Sequence, residues 1–113
     1  MSQPSLYRGD LVSAFPSVVT TAGVGTSYAL TPIPEQFTKK VTWSYSFTTA
    51  PSAIVINLEA SLDGVNFFQY DTYNTPGTTA NRSVDIGQNN FVRLNVISLT
   101  LGSGAGIGGN IGY

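Results

Sequence analysis

The chain has 113 residues, five basic and six acidic, with neither cysteine nor histidine. That length suits a single hydrophobic core, since two domains would each be too small to stand alone, and the charge balance offers no positive excess to neutralise the phosphates of a nucleic acid. Charged residues are only 10% of the chain against 42% hydrophobic, so Ser, Thr, Asn, Gln and Gly must cover the surface, self-repulsion is weak, and a homo-oligomer or larger assembly is expected.

Residues 1–16 mix polar and apolar types without a sustained period and are punctuated by Pro4, Gly9 and Pro16. This predicts an extended N-terminal arm preceding a β domain over 17–113. Leu6, Tyr7, Leu11, Val12 and Phe15 would each cost up to ~1.5–3 kcal/mol if left in water. The arm should therefore rest on its own domain or on a neighbouring subunit, and Leu6, Tyr7, Leu11 and Phe15 are the expected interface anchors.

From Ser17 onward, β-branched and aromatic residues come in short runs separated by Gly, Pro and Asn. Val18 to Thr21 and Ser27 to Leu30 are the first two predicted strands. After a TPIP turn at Thr31 to Pro34, Val41, Trp43, Tyr45 and Phe47 alternate with Thr42, Ser44 and Ser46, which puts the four large residues on one sheet face. Ile54, Ile56, Leu58, Ala60 and Leu62 alternate with Val55, Asn57, Glu59 and Ser61, giving an apolar inner face and a mostly polar outer one. Asp63-Gly64 then predicts a tight turn with positive φ, so that Val65 to Tyr73 folds back as the hairpin partner.

A polar loop follows at Asn74 to Asn81, then a short strand at Arg82 to Ile86 and a turn at Gly87 to Asn90. Within Phe91 to Leu101 the apolar phase passes from Val92, Leu94 and Val96 to Ile97, Leu99 and Leu101. A one-residue shift of this kind predicts a bulge near Val96. Ile107, Ile111 and Tyr113 mark a last strand in which glycines permit close backbone approach. No amphipathic helix is visible. About eight strands with turn signals every ~8–12 residues predict an all-β, antiparallel two-sheet sandwich or jelly roll.

The chemistry of catalysis is poorly supplied. Without His or Cys the chain lacks the commonest zinc ligands, the Ser-His-Asp and Cys-His arrangements, and the usual general base near neutral pH. A carboxylate pair could be drawn from Glu59, Asp63, Asp71 and Asp85. Glu59, however, faces outward, Asp63 belongs to a turn, and no motif surrounds the other two. Residues Gly104 to Gly109, GAGIGG, match a dinucleotide fingerprint by letter but lack its helix and downstream acid, so they read as a Gly-rich strand. Arg8-Gly9-Asp10 is read as a local turn, and Asn81-Arg82-Ser83 as a glycosylation sequon that matters only in a secretory compartment. The expectation is a non-enzyme with no cofactor and no metal.

Among the aromatics, Trp43, Tyr45 and Phe47 read as core. Phe67 and Phe68 are adjacent and must point to opposite faces, which leaves one of them outside or in an interface. Phe68, Tyr70 and Tyr73 are the candidates for contacting a ligand or partner. No run approaches the ~20 apolar residues that span a bilayer, and no basic start with an apolar stretch suggests secretion. Synthesis in the cytoplasm without membrane association is expected.

Two stretches carry a resemblance: NLEASLDGVNFFQYDTY at Asn57 to Tyr73 and NNFVRLNVISLT at Asn89 to Thr100. They resemble the S-x-D-G-x-x-aromatic hairpin and later V-R-L strand of discoidin-like, galactose-binding-like jelly rolls, and equally of small β-sandwich proteins of tailed-phage virions. The resemblance implies a virion structural protein of the head decoration or cement type, whose partner is the major capsid protein or another virion protein. A carbohydrate-binding module of a tail or fibre, and a neck or tail adaptor, are the alternatives.

Overall fold

The computed structural model describes residues 4–32 and 38–113. Met1 to Gln3 of the expected arm, and Ile33 and Pro34 of the TPIP turn, lie outside the described residues. The described chain is all-β and forms two packed sheets. In the first, β6 (Ala53–Ser61) and β9 (Phe91–Thr100) pair antiparallel at the centre. β7 (Phe68–Tyr73) closes one edge, while β3 (Gly23–Val24) and β4 (Tyr28–Leu30) flank the far side of β9, and β1 (Ser5–Leu6) runs parallel to β4 at the other edge. The second sheet has the order β2 (Leu11–Ser13), β10 (Ile107–Gly112), β5 (Lys40–Phe47), β8 (Ala80–Asp85), all antiparallel.

The two-residue period drives this layering. Val41, Trp43 and Tyr45 of β5 and Ile107 and Ile111 of β10 are buried, as are Ile54, Ile56, Leu58 and Ala60 of β6 and Val92, Leu94 and Val96 of β9. Trp43 and Tyr45 can be fully buried because their polar tips find partners: the Trp43 indole N–H donates to Asp71 Oδ2 at 2.9 Å and the Tyr45 hydroxyl to the Thr78 carbonyl at 2.7 Å. Between Ile107 and Ile111 the inward position is Gly109, where a Cβ would lie 2.9 Å from the Ser44 carbonyl oxygen and 3.1 Å from the Phe15 ring. The close approach expected of the Gly-rich tail is thus made by Phe15 settling over bare backbone.

The expected bulge in β9 is present. Val55 pairs with Ser98 and Ile56 with Val96, so Ile97 is the extra residue, and Leu99 returns to a position opposite Ile54. A second bulge, not foreseen, makes Tyr70 the extra residue of β7, between Asp71 opposite Leu58 and Gln69 opposite Glu59.

Three expectations are corrected. The segment read as an extended arm preceding the domain, resting on that domain or on a neighbour, is built into the sheets themselves: it supplies β1 to one and β2 to the other, because pairing satisfies the backbone as well as covering the apolar side chains. The Asp63-Gly64 turn is not tight: the last hairpin pair is Ala60 with Phe68, and a connection from Ser61 to Phe67 lies between them. Gly64 does take a positive φ of 79°. The Asp63 carboxylate organises this connection by accepting from the amides of Val65 and Asn66, from the Asn66 side chain and from Ser61 Oγ. Finally, Val18 to Thr21 is no strand; only Val19 bridges to Ile107, and the sheet pairing begins at Gly23.

Candidate functional site

The acids among the described residues all accept hydrogen bonds within the fold. Asp10 accepts from the Tyr7 amide at 2.8 Å, inside the turn that holds Arg8-Gly9-Asp10 between β1 and β2. Asp85 accepts from the Gly87 amide. Asp71 is pushed up by burial but held below the ordinary carboxylate range by the combined donors of Arg82, Trp43 and the Thr72 amide. Asp63, at an exposed position, is held well below that range, first by the amides of Asn66 and Val65 and then by the Asn66 and Ser61 side chains. No group of three His, Cys, Asp or Glu side chains that could hold a metal ion occurs among the described residues.

The four expected interface anchors separate into two pairs. Leu6 and Phe15 are 1% and 7% exposed and belong to the chain's own core, because β1 brings Leu6 under the first sheet and Gly109 opens a seat for the Phe15 ring. They are not available to a partner. Tyr7 and Leu11 are 62% and 73% exposed at the corner where β1 turns into β2.

At the opposite edge, Phe68 is 65% exposed and Tyr70 is also exposed, its hydroxyl accepting from Asn89 Nδ2 at 2.7 Å. Tyr73 is half-buried, packed 5.5 Å from the Tyr45 ring and hydrogen-bonded to the Thr78 hydroxyl, so it belongs more to the core margin than to a surface. Leu62 and Val65, in the connection before Phe68, are strongly exposed as well. The alternation of β6 assigned Leu62 to the inner face; the strand stops at Ser61, and the connection carries Leu62 outward. Leu62, Val65, Phe68 and Tyr70 thus form one apolar edge, and Tyr7 with Leu11 another across the sandwich. No family model matches the chain, and no curated protein or solved structure does so either.

A polar network on the outer face of the first sheet was not foreseen. Glu59 of β6 lies between Arg93 of β9 and Gln69 of β7, and Asn57 between Asn95 and Thr72. Arg93 Nε donates to Glu59 Oε1 at 2.8 Å, Asn95 Nδ2 to Glu59 Oε2 at 2.9 Å, and Asn57 Nδ2 to Gln69 Oε1 at 3.3 Å. The Arg93 guanidinium also sits 4.0 Å from the Phe67 ring centroid, a cation–π contact that explains why Phe67 is partly covered while Phe68 is not. Asn57 Oδ1 is buried with no partner among the described residues, a state that costs about 1–3 kcal/mol. The sequence signal was the polar phase of β6; only the register reveals which side chains meet there.

Proposed function

We propose that this chain is a virion structural protein, a decoration or cement protein that adds to a phage head lattice through contacts with the major capsid protein. The observation that carries the reading is the pair of exposed apolar edges, Tyr7 with Leu11 on one side and Leu62, Val65 and Phe68 on the other. They are chemically alike but unrelated in sequence and lie at opposite ends of the strand order. One two-fold contact between copies would cover one edge and leave the other wet, whereas a repeating lattice offers neighbours to both. With a net charge of −1, little long-range repulsion opposes such packing. Each contact can be modest, since repetition over many sites supplies the avidity. The S-x-D-G hairpin and V-R-L strand, which resemble those of small virion sandwiches, support the same reading.

The test is co-sedimentation of the purified chain with empty phage capsids. Leu11→Ser and Phe68→Ser change exposed side chains and should leave the β spectrum and the unfolding midpoint nearly unchanged, while each lowers capsid binding at least tenfold, roughly 1.4 kcal/mol. Equal binding by wild type and both variants, or no binding by wild type, refutes the proposal. Attachment to tails but not heads would identify a neck or tail adaptor instead.

A further inference from the structure

The two sheets end on β1 and β7, and on β2 and β8, and these edges are not guarded alike. β1 has two residues and β2 three, while β7 is bulged at Tyr70 and its Thr72 amide is capped by Asp71. Short length, bulges and caps are the ordinary means of keeping an edge from pairing with another chain. β8 has none of them. Its six residues run in unbroken register with β5, without proline or lysine, and Arg82, its basic residue, is drawn back to Asp71. We propose that β8 is the surface through which two copies of this chain join, antiparallel about a two-fold axis at Ser83. The contact uses none of the residues of the two apolar edges and does not depend on the virion reading.

The free main-chain groups of β8 fix how such a neighbour must lie. In an antiparallel pair, alternate residues turn their N–H and C=O to alternate sides. The Ile86 amide donates to the Lys39 carbonyl at 2.9 Å, so Val84, Arg82 and Ala80 face β5 as well, and Asn81, Ser83 and Asp85 face away. Counting from the far side of the sheet agrees. The Ala14 amide donates to the Gly109 carbonyl, which turns Gly108, Asn110 and Gly112 of β10 toward β5 and leaves Val41, Trp43 and Tyr45 of β5 for β8. Among the described residues, no hydrogen bond takes up the outward main-chain groups of Asn81, Ser83 and Asp85, and all three residues are exposed.

A second β8 satisfies all of these groups at once. With Ser83 opposite its own copy, Asn81 of each chain lies opposite Asp85 of the other, and about six main-chain hydrogen bonds form. The side chains agree with that register. The Asn81 amide can donate to the Asp85 carboxylate of the second copy, of which only Oδ1 is engaged, by the Gly87 amide, and Arg82 lies opposite Val84, so no like charges face one another. Sliding the pair by two residues loses this match in either direction: one slide sets Arg82 opposite itself, and the other sets Asn81 opposite Gly87, whose carbonyl already accepts from Lys39. An unrelated strand would offer the same main chain without these side-chain partners. The joined edges continue the second sheet across the axis in a closed, two-fold contact.

Sedimentation velocity of the full chain over a concentration series tests the proposal. A monomer–dimer equilibrium is expected, with a dissociation constant of about 100 μM or tighter. Ser83→Lys sets two ammonium groups against each other on the axis and should weaken the dimer at least tenfold, while the unfolding midpoint of dilute protein stays nearly unchanged because the position is exposed. Cross-linking reads the register. The chain has no cysteine, so a short bis-maleimide should join Ser83→Cys chains in pairs, and should hardly join Ser13→Cys chains, altered on the opposite edge strand β2. Should Ser83→Lys fail to fold, that contrast still decides. A chain that is monomeric at about 500 μM, a dimer as tight in Ser83→Lys as in the wild type, or equal cross-linking from positions 13 and 83 would each overturn the proposal.

Discussion

Gly109 shows how far one missing side chain can reach. Its Cβ position lies 2.9 Å from a main-chain oxygen of β5, which cannot retreat without moving a central strand, while the Phe15 ring at 3.1 Å and Leu94 Cδ1 at 3.2 Å would each have to give by a few tenths of an ångström. Gly109→Ala should therefore destabilise the fold by about 1–3 kcal/mol, the range for overpacking a dense core, measured by denaturant unfolding. Asp71 is a second such residue, joining Trp43 in the core to Arg82 on β8. Because its folded pKa is depressed, its contribution is complete above the unfolded value near ~4 and fades as pH falls through the lower folded value. Asp63 adds to the slope in the same direction. Asp71→Asn should cost about 1–2 kcal/mol at pH 7, the exposed Arg82 end being screened. It should also flatten the acid limb of a stability profile below about pH 4; an unchanged limb would show that Asp71 is not the group responsible. The presence of Asp71 was visible in the sequence, but its role was not, since Trp43 lies 28 positions away.

At the scale of the strand, β9 gives the sharpest case of a feature legible in advance. The shift of apolar phase after Val96 required one surplus residue, and Ile97 is that residue. Deleting it should leave Val96 opposite Ile56 and Leu99 opposite Ile54 in an unbroken alternation, so the variant is expected to fold with a loss no larger than about 2 kcal/mol. Deleting Val55 from β6 has the opposite consequence: it makes Ile54 and Ile56 adjacent, forces one of them outward, and should abolish cooperative unfolding. Thermal unfolding of the two deletions distinguishes them, and similar losses would count against this register. The bulge at Tyr70 left no such trace. Phe68, Gln69, Tyr70 and Asp71 alternate apolar and polar without a break in phase, so nothing marks Tyr70 as surplus; on an edge strand with one face partly open, either type is tolerated at most positions, and Asp71 can take the inward place opposite Leu58. The bulge also serves the edge itself: the Thr72 amide is capped by the preceding carboxylate, which lessens the appeal of β7 as a template for another strand.

For the molecule as a whole, the fate of the first sixteen residues changes what a truncation would mean. An arm lying outside the domain could be removed without harm. This segment instead contributes β1, β2, Leu6, Ala14 and Phe15 to the two sheets and their core. Removing residues 1–16 should therefore cost several kcal/mol, with Leu6 and Phe15 alone contributing about 1.5–3 kcal/mol each, and circular dichroism with thermal melting should report a destabilised or unfolded chain. A truncated chain that keeps its melting temperature would return the segment to the status of a free arm.

The alternation of large and small residues was sufficient by itself to determine an all-β fold, the inward-facing Trp43 and Tyr45 and the β9 bulge, because side-chain direction in a strand repeats every two residues whatever the partner. The lack of His and Cys likewise limited the available chemistry before any folding was considered. Tertiary structure alone decided which strands are neighbours, and hence that Glu59 meets Arg93, that Asp71 serves Trp43, that Leu6 and Phe15 are core while Tyr7 and Leu11 face water. Pairing between distant segments is fixed by the collective fit of the two sheets, and no local stretch of sequence contains that information.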